Sequence, residues 1–190
     1  MEVLFHFIFE LIIISILGTI YATISFITIL IIGKFKSESW FARVSKKKFK
    51  LWFLSGLFIS TCLFLYMFSY WGDHGLGDTS KVPIGHFRVV NEINSHDVYI
   101  ENEKNKQLEI KNFAYDNDNL YAQTTQSGFN GKKGDYVVWN LRTDEWTFYN
   151  TKEDYLIDAE KHHYPKPTEF KEFFEHYKRH WNGWRLWLLP

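Results

Sequence analysis

Three side chains near the C-terminal end of the sequence have a spacing that could bind a metal ion. Glu172, His176 and His180 follow one another at intervals of four residues, which places them on one face of a predicted helix. Two histidines at i and i+4 can chelate zinc, but the HExxH zinc motif carries a glutamate directly after the first histidine. Here Lys178 and Arg179 lie between the two histidines, and their charges would repel a divalent ion. We therefore interpret this face as solvated and assign no metal and no cofactor.

Other histidines and aspartates support an alternative hypothesis, a membrane-anchored metal-dependent enzyme or an envelope sensor. Such a protein would use the following residues: Asp73, His74, His162, His163, His176 and His180. No spacing among them is diagnostic of a metal site. The alternative stays open on composition alone.

Motifs of nucleophilic and phosphate chemistry are absent from the sequence. It contains no G-x-S-x-G motif, and its single cysteine, Cys62, lies in an apolar run where a thiolate is disfavoured. In the glycine-rich stretch 127–134, Gly134 follows Lys133 where a phosphate-binding loop has serine or threonine. We name no catalytic residue and expect a protein that is not an enzyme.

Two apolar runs, at 11–32 and 51–71, flank a basic stretch at 34–50. Each run is long enough for a membrane-spanning helix, so we predict a transmembrane hairpin over 1–71 with helices at about 3–33 and 50–71. The basic stretch has seven lysine and arginine residues and one acid, which favours the cytoplasmic side. The lysines expected to contact lipid headgroups are Lys46, Lys47, Lys48 and Lys50. This topology places the N-terminus and everything after residue 71 outside the cytoplasm.

Small residues recur at helical spacing in both apolar runs. They are Gly18, Ala22 and Ser25 in the first run and Gly56 and Ser60 in the second. Small side chains let helix backbones approach closely in a membrane. We expect these residues to pack the two helices on each other, or to form a docking face for other membrane subunits.

The sequence after residue 71 predicts a linker and one folded domain. Residues 72–84 are rich in glycine and aspartate and are interpreted as a linker. From 85 to about 150, apolar residues alternate with polar ones between turn-forming clusters, which is typical of an antiparallel meander. We predict an α+β membrane protein whose extracytoplasmic domain, 85–190, has about six strands and two C-terminal helices, near 152–161 and 168–181.

Aromatic residues form an apolar stripe on the last predicted helix and continue into the C-terminal tail. The candidate partner-binding residues are Phe170, Phe173, Phe174, Tyr177, Trp181, Trp184 and Trp187. Such a stripe covers one face of a sheet in most domains, but it can also bind a partner. The tail could complete the core, contact the outer leaflet or dock on another subunit.

Charge and cysteine content limit the partners and the compartment. From residue 72 onward there are 15 lysine and arginine against 19 aspartate and glutamate residues, so nucleic-acid binding is not expected. The predicted outer domain has no cysteine and hence no disulfide, which favours a bacterial inner membrane with the domain in the periplasm. We expect an accessory or assembly subunit of a membrane complex, or an immunity-type protector, that binds another envelope protein and membrane lipid. Self-association stays open.

Overall fold

The computed structural model describes residues 2–35, 47–102, 107–125 and 134–190. The chain divides into two compact units, one formed by 1–73 with 183–190 and the other by 74–182. Its architecture is α+β, with an antiparallel sheet and helices, which agrees with the coarse prediction from the sequence.

The first unit contains two long apolar helices, α1 (Glu2–Phe35) and α2 (Lys48–Met67). By length and composition, both could cross a membrane. Helix α2 ends four residues before the predicted end at 71, because the chain turns there. The amide of Ser69 donates to the Tyr66 carbonyl, and Gly72 lies so close to that carbonyl that a Cβ atom would collide with it.

Most of the basic stretch at 34–50 lies outside the described residues, including Lys46. The other three lysines predicted to contact lipid headgroups are exposed at the start of α2. They are Lys47, Lys48 and Lys50.

The second unit is built on a seven-stranded sheet in which every strand pairs with its neighbour in sequence. The strands are β1 (Thr79–Gly85), β2 (Arg88–Ile93), β3 (Asp97–Glu101), β4 (Gln107–Tyr115), β5 (Asn119–Thr124), β6 (Tyr136–Asn140) and β7 (Glu145–Tyr149). All pairings are antiparallel, so the predicted meander is present. The predicted count of six strands is wrong.

The additional strand is β1, which lies mostly in the segment interpreted as a linker. Pro83 made this segment look unlike a strand, because proline lacks the amide that a sheet ladder needs. In the structure β1 pairs only with β2 and is an edge strand, a position where proline fits. Val82 and Ile84 on either side of Pro83 are buried in the core.

Strand β4 belongs to both halves of the sheet. Its first three residues pair with β3 and its residues from Ile110 onward pair with β5, with a register shift at Lys111. A bulge of this kind bends the strand, so that β4 can belong to one half of the sheet at its start and to the other half at its end. Both halves contribute side chains to one hydrophobic cluster: Val82, Ile84, Val90, Ile100, Leu108, Ile110, Phe113, Leu120, Ala122, Val137, Trp139, Leu141 and Phe173.

Three helical segments follow the sheet, and a fourth ends the chain. They are α3 (Lys152–His162), a 3-10 turn (Pro167–Glu169), α4 (Phe173–Trp181) and α5 (Trp184–Leu188). Helix α3 starts as predicted, because the Thr151 side chain accepts a hydrogen bond from the Asp154 amide at 3.1 Å.

The second predicted helix, 168–181, begins later than expected. Lys171 is in an extended segment, and its amide and carbonyl both pair with Phe113 at 2.9 Å. These bonds pair backbone groups on the otherwise free edge of the second half of β4. The backbone of Lys171 is therefore extended and not helical.

Candidate functional site

The small residues of α1 and α2 face each other. A Cβ atom on Gly18 would collide with the Ser60 hydroxyl, and a Cβ atom on Gly56 would lie 3.4 Å from the Ala22 Cβ. Ser25 is half-buried one turn further along α1. The structure thus places four of the five predicted packing residues at the contact between the two helices, beside a groove of about 260 Å³.

Hydroxyl groups in both helices bond mainly to the backbone of their own helix. Ser15 donates to the Leu11 carbonyl at 2.7 Å, and Thr61 donates to the Leu57 carbonyl at 2.9 Å. Among the described residues, a hydrogen bond from the Trp52 indole to the Thr23 hydroxyl, at 3.1 Å, connects the two helices. Polar groups satisfied in this way are compatible with a hydrocarbon environment.

The predicted metal candidate His176 is a buried core residue. Its Nε2 lies 2.8 Å from the Phe113 carbonyl oxygen, and its ring stacks on that of Phe113 with centroids 4.1 Å apart. Burial lowers the pKa of His176, and the Lys171 and Arg179 charges lower it further, against the opposing effect of the Phe113 hydrogen bond. The side chain is therefore neutral at pH 7 and anchors α4 to β4.

The remaining metal candidates do not converge with His176 on one ion position within the described part of the chain. His180 lies edge-on to Trp181 with ring centroids 4.5 Å apart, and Glu172 is exposed just before α4. His162 contacts the Asp158 carbonyl at 3.1 Å, and His163 ends α3 in the left-handed conformation. These are structural roles at helix ends and on surfaces.

Two further candidates of the alternative hypothesis, Asp73 and His74, are adjacent in the sequence. The His74 ring is edge-on to Trp181 with centroids 5.7 Å apart, and its carbonyl accepts from the Lys81 amide at 3.0 Å. Asp73 is half-buried, and its amide donates to the Ser69 carbonyl at 2.9 Å.

The aromatic stripe divides between the core and the surface. Phe170 and Phe173 are buried and belong to the two hydrophobic clusters of the domain, on either side of the Lys171 bridge. Tyr177 and Trp181 are half-buried, and the Trp181 indole donates to the Lys81 carbonyl at 2.8 Å. Phe174 is the exposed member of these five residues, with 57% of its surface accessible.

The last two aromatic candidates belong to the first unit. Trp184 and Trp187 are 62% and 76% exposed in the short helix α5. The Tyr21 hydroxyl of α1 donates to the Leu188 carbonyl at 2.6 Å.

An open cleft of about 630 Å³ in the second unit was missed in the sequence. We name it the tyrosine cleft. Its walls come from the β4–β5 hairpin, from α3 and from the segment that follows α3. The lining residues used below are Tyr115, Asp116, Tyr121, His163, Tyr164, Lys166 and Glu169.

Hydrogen bonds to Asp116 fix the floor of the tyrosine cleft. The Tyr121 hydroxyl donates to Oδ2 of Asp116 at 2.7 Å, and the amides of Asp118 and Asn119 donate to Oδ1 at 2.8 Å each. Burial raises the pKa of Tyr121, and the hydrogen bond to Asp116 raises it further. Tyr121 therefore stays a protonated donor, and the Tyr164 ring lies 5.0 Å away from its ring.

A second, smaller cleft of about 390 Å³ shares Tyr115 and Glu169 with the tyrosine cleft. It adds Lys171, Arg179 and His180 as lining residues, together with one edge of His176. The tyrosine cleft thus borders a region with two cationic side chains, one of which, Lys171, lies 3.6 Å from the Glu175 carboxylate.

The signal for this cleft in the sequence was the density of tyrosines. Tyr115 and Tyr121 flank the Asp116–Asn119 turn, and Tyr164 opens the proline-containing break after α3. In the sequence, both stretches carry only the residues typical of turns. Their meeting depends on the packing of α3 against the sheet through Tyr155, whose hydroxyl donates to the Pro165 carbonyl at 2.6 Å.

Comparison with known proteins gives no relative. No family model, no curated protein and no solved structure matches this chain. The function has to be argued from the molecule itself.

Proposed function

We propose that this is a non-enzymatic integral membrane protein whose extracytoplasmic domain binds another protein. It would act as an accessory or assembly subunit of a membrane complex, or as an immunity-type protector. The observation that carries the proposal is the tyrosine cleft with its cationic end.

The composition of the cleft favours a protein partner. Tyrosine gives a large, rigid contact area with a polar tip, and it is enriched in protein-binding surfaces. The cleft is open to solvent, and the Asp116 carboxylate in it is already bonded to the Tyr121 hydroxyl and to two backbone amides. Arg179 at one end is complementary to a carboxylate, while Lys171 already pairs with Glu175, so the partner would insert an apolar side chain next to an acidic residue.

Phe174 adds a second contact on the same domain. Its ring is exposed, and the Lys178 ammonium lies 4.4 Å from the ring centroid. An exposed aromatic residue beside a cation is a common anchor at interfaces.

The proposed topology rests on the basic residues between the two helices. With that stretch in the cytoplasm, both the N-terminus and the domain from residue 74 onward lie outside, in the periplasm if the membrane is a bacterial inner membrane. Cysteine at Thr147, exposed on β7, should react with an impermeant maleimide in intact cells, and cysteine at Lys48 should react only after permeabilisation. The native Cys62 is replaced by serine in both variants. The reverse pattern would contradict the topology.

Site-specific photocrosslinking tests partner binding. p-Benzoylphenylalanine in place of Tyr164 should crosslink to one discrete protein in the native membrane, while the same group in place of Ile157 should not. Ile157 is 71% exposed on α3 and does not line the cleft. An Arg179→Glu exchange should reduce the crosslink at position 164, because it reverses a charge at the cationic end.

Two outcomes would contradict the proposal. Equal crosslinking from positions 157 and 164 would mean that the cleft has no specific partner. If Arg179→Glu leaves the crosslink at position 164 unchanged, the charge of Arg179 does not contribute to binding of the partner.

A further inference from the structure

The short helix α5 carries several exposed apolar side chains. Helix α5 belongs to the first unit, together with α1 and α2. Its outward-facing residues are Trp184, Leu186, Trp187 and Leu188. Four large apolar side chains exposed in five residues would be unusual in water.

A hydrogen bond fixes the position of α5 along α1. The Tyr21 hydroxyl donates to the Leu188 carbonyl at 2.6 Å. Tyr21 lies in the middle of the uncharged run 11–32, about 15 Å from its start at 1.5 Å per residue. In a helix that crosses the bilayer, this level is deep within the hydrocarbon.

The same bond lowers one of the costs of placing a chain segment in hydrocarbon. The last carbonyls of a helix have no partner within the helix, and an unsatisfied carbonyl is costly in a bilayer. Tyr21 satisfies the carbonyl of Leu188, and the Leu189 amide bonds to the Arg185 carbonyl at 3.0 Å.

The residues at the start of α5 allow the chain to change direction where it would enter the membrane. Gly183 has φ of +82°, a left-handed conformation that favours glycine. Arg185 follows in the first turn of α5, with its guanidinium 5.8 Å from the Trp184 ring centroid. Both side chains are amphipathic, and a buried arginine can extend its charged end along the bilayer normal toward the headgroups.

We propose that Trp184–Leu188 is a re-entrant segment, inserted in the outer leaflet against α1, and that lipid acyl chains cover its apolar face. The acyl chains, and not a protein, are the occupant because the Tyr21 bond holds α5 beside α1, where Ile20 and Ile24 are exposed apolar side chains of the proposed membrane span. The inference rests on the proposed membrane-spanning hairpin.

Spin labelling of the full-length protein in phosphatidylcholine and phosphatidylglycerol vesicles tests the inference. A nitroxide is attached to cysteine at Trp187, at Ile20 on the exposed face of α1 or at Thr147 in the outer domain, with Cys62 replaced by serine. Accessibility to oxygen reports lipid, and accessibility to a water-soluble nickel chelate reports water. We expect the label at 187 to resemble that at 20, with high oxygen and low nickel accessibility, and the label at 147 to show the reverse.

The control at position 20 separates the two proposals. If labels at 20 and 187 are both accessible to nickel, the hairpin does not span and the membrane anchor itself is refuted. If 20 is in lipid but 187 is accessible to nickel, or protected from both reagents by a protein, the re-entrant segment alone is refuted.

A variant tests the role of the hydrogen bond. Tyr21→Phe should increase nickel accessibility at 187, whereas Tyr66→Phe should not. Tyr66 also donates its hydroxyl to a backbone carbonyl, that of Trp71, but at the end of α2. An unchanged label in Tyr21→Phe would show that the bond does not hold the segment in place.

Discussion

Two adjacent phenylalanines of α4 provide a test that separates the core of the domain from its surface. Phe173 is 2% exposed and packs in the main hydrophobic cluster, whereas Phe174 is 57% exposed. The same substitution at either position removes the same atoms. Its effect on stability should depend only on burial.

The expected magnitudes follow from that difference. Truncating a buried phenylalanine to alanine typically costs about 3–5 kcal/mol, through lost transfer energy and the cavity that remains. With a urea dependence of about 2 kcal/mol per molar, Phe173→Ala should lower the unfolding midpoint by about 1.5–2.5 M. Phe174→Ala loses only the contact with Lys178 and should cost at most about 1 kcal/mol.

Pulse proteolysis of the full-length protein in mild detergent measures these midpoints for the outer domain. Phe173→Leu serves as a matched control, since it keeps most of the buried volume and should recover much of the loss. Equal midpoints for Phe173→Ala and Phe174→Ala would refute the packing of α4 described above. A large loss in Phe174→Ala would show that its ring is covered in solution.

Two further predictions concern the helix contact and a buried histidine. Cysteines at Ala22 and Gly56 should form a disulfide under mild oxidation, because their Cβ atoms would lie 3.4 Å apart, and Gly18→Val should abolish it by colliding with Ser60. Stability of the outer domain should fall below about pH 6.5 by up to about 1.4 kcal/mol per pH unit, because the lowered pKa of His176 makes the unfolded chain bind the proton first. In the His176→Gln variant, the fall in the urea midpoint that comes from protonation of His176 should be absent.

Controls for these two predictions lie on exposed surfaces. Ile20→Val on the outer face of α1 should leave the disulfide yield unchanged. A disulfide that survives Gly18→Val would contradict the close helix contact. His162→Gln should keep the pH dependence of the parent, and a parent whose midpoint does not fall from pH 7 to pH 5 would contradict the buried neutral state of His176.

The sequence predicted the elements whose signal is local. Apolar run length identified α1 and α2, alternation identified six of the seven strands, and the Thr151 cap located the start of α3. The proline of β1 hid the seventh strand, because its acceptability depends on an edge position that the sequence alone does not reveal.

The candidate site depended on contacts between distant segments and could not be predicted in the same way. Tyr121 and Tyr164 come together only after α3 has packed on the sheet. Likewise, helical spacing placed Phe170 and Phe173 on one stripe, but the extended bridge at Lys171 directs them to two different clusters. Periodicity describes one element at a time and carries no information about such pairings.

The pairing of Lys171 with Phe113 has a consequence for the order in which the domain is made. Each strand of the meander can pair with its partner as soon as the next strand becomes available for folding, since all strand neighbours are consecutive in the chain. The open edge of β4 must wait until the segment after α3 has been synthesised. During that interval the unfinished sheet presents an unpaired edge, and a chaperone or a neighbouring chain would meet the nascent protein there first.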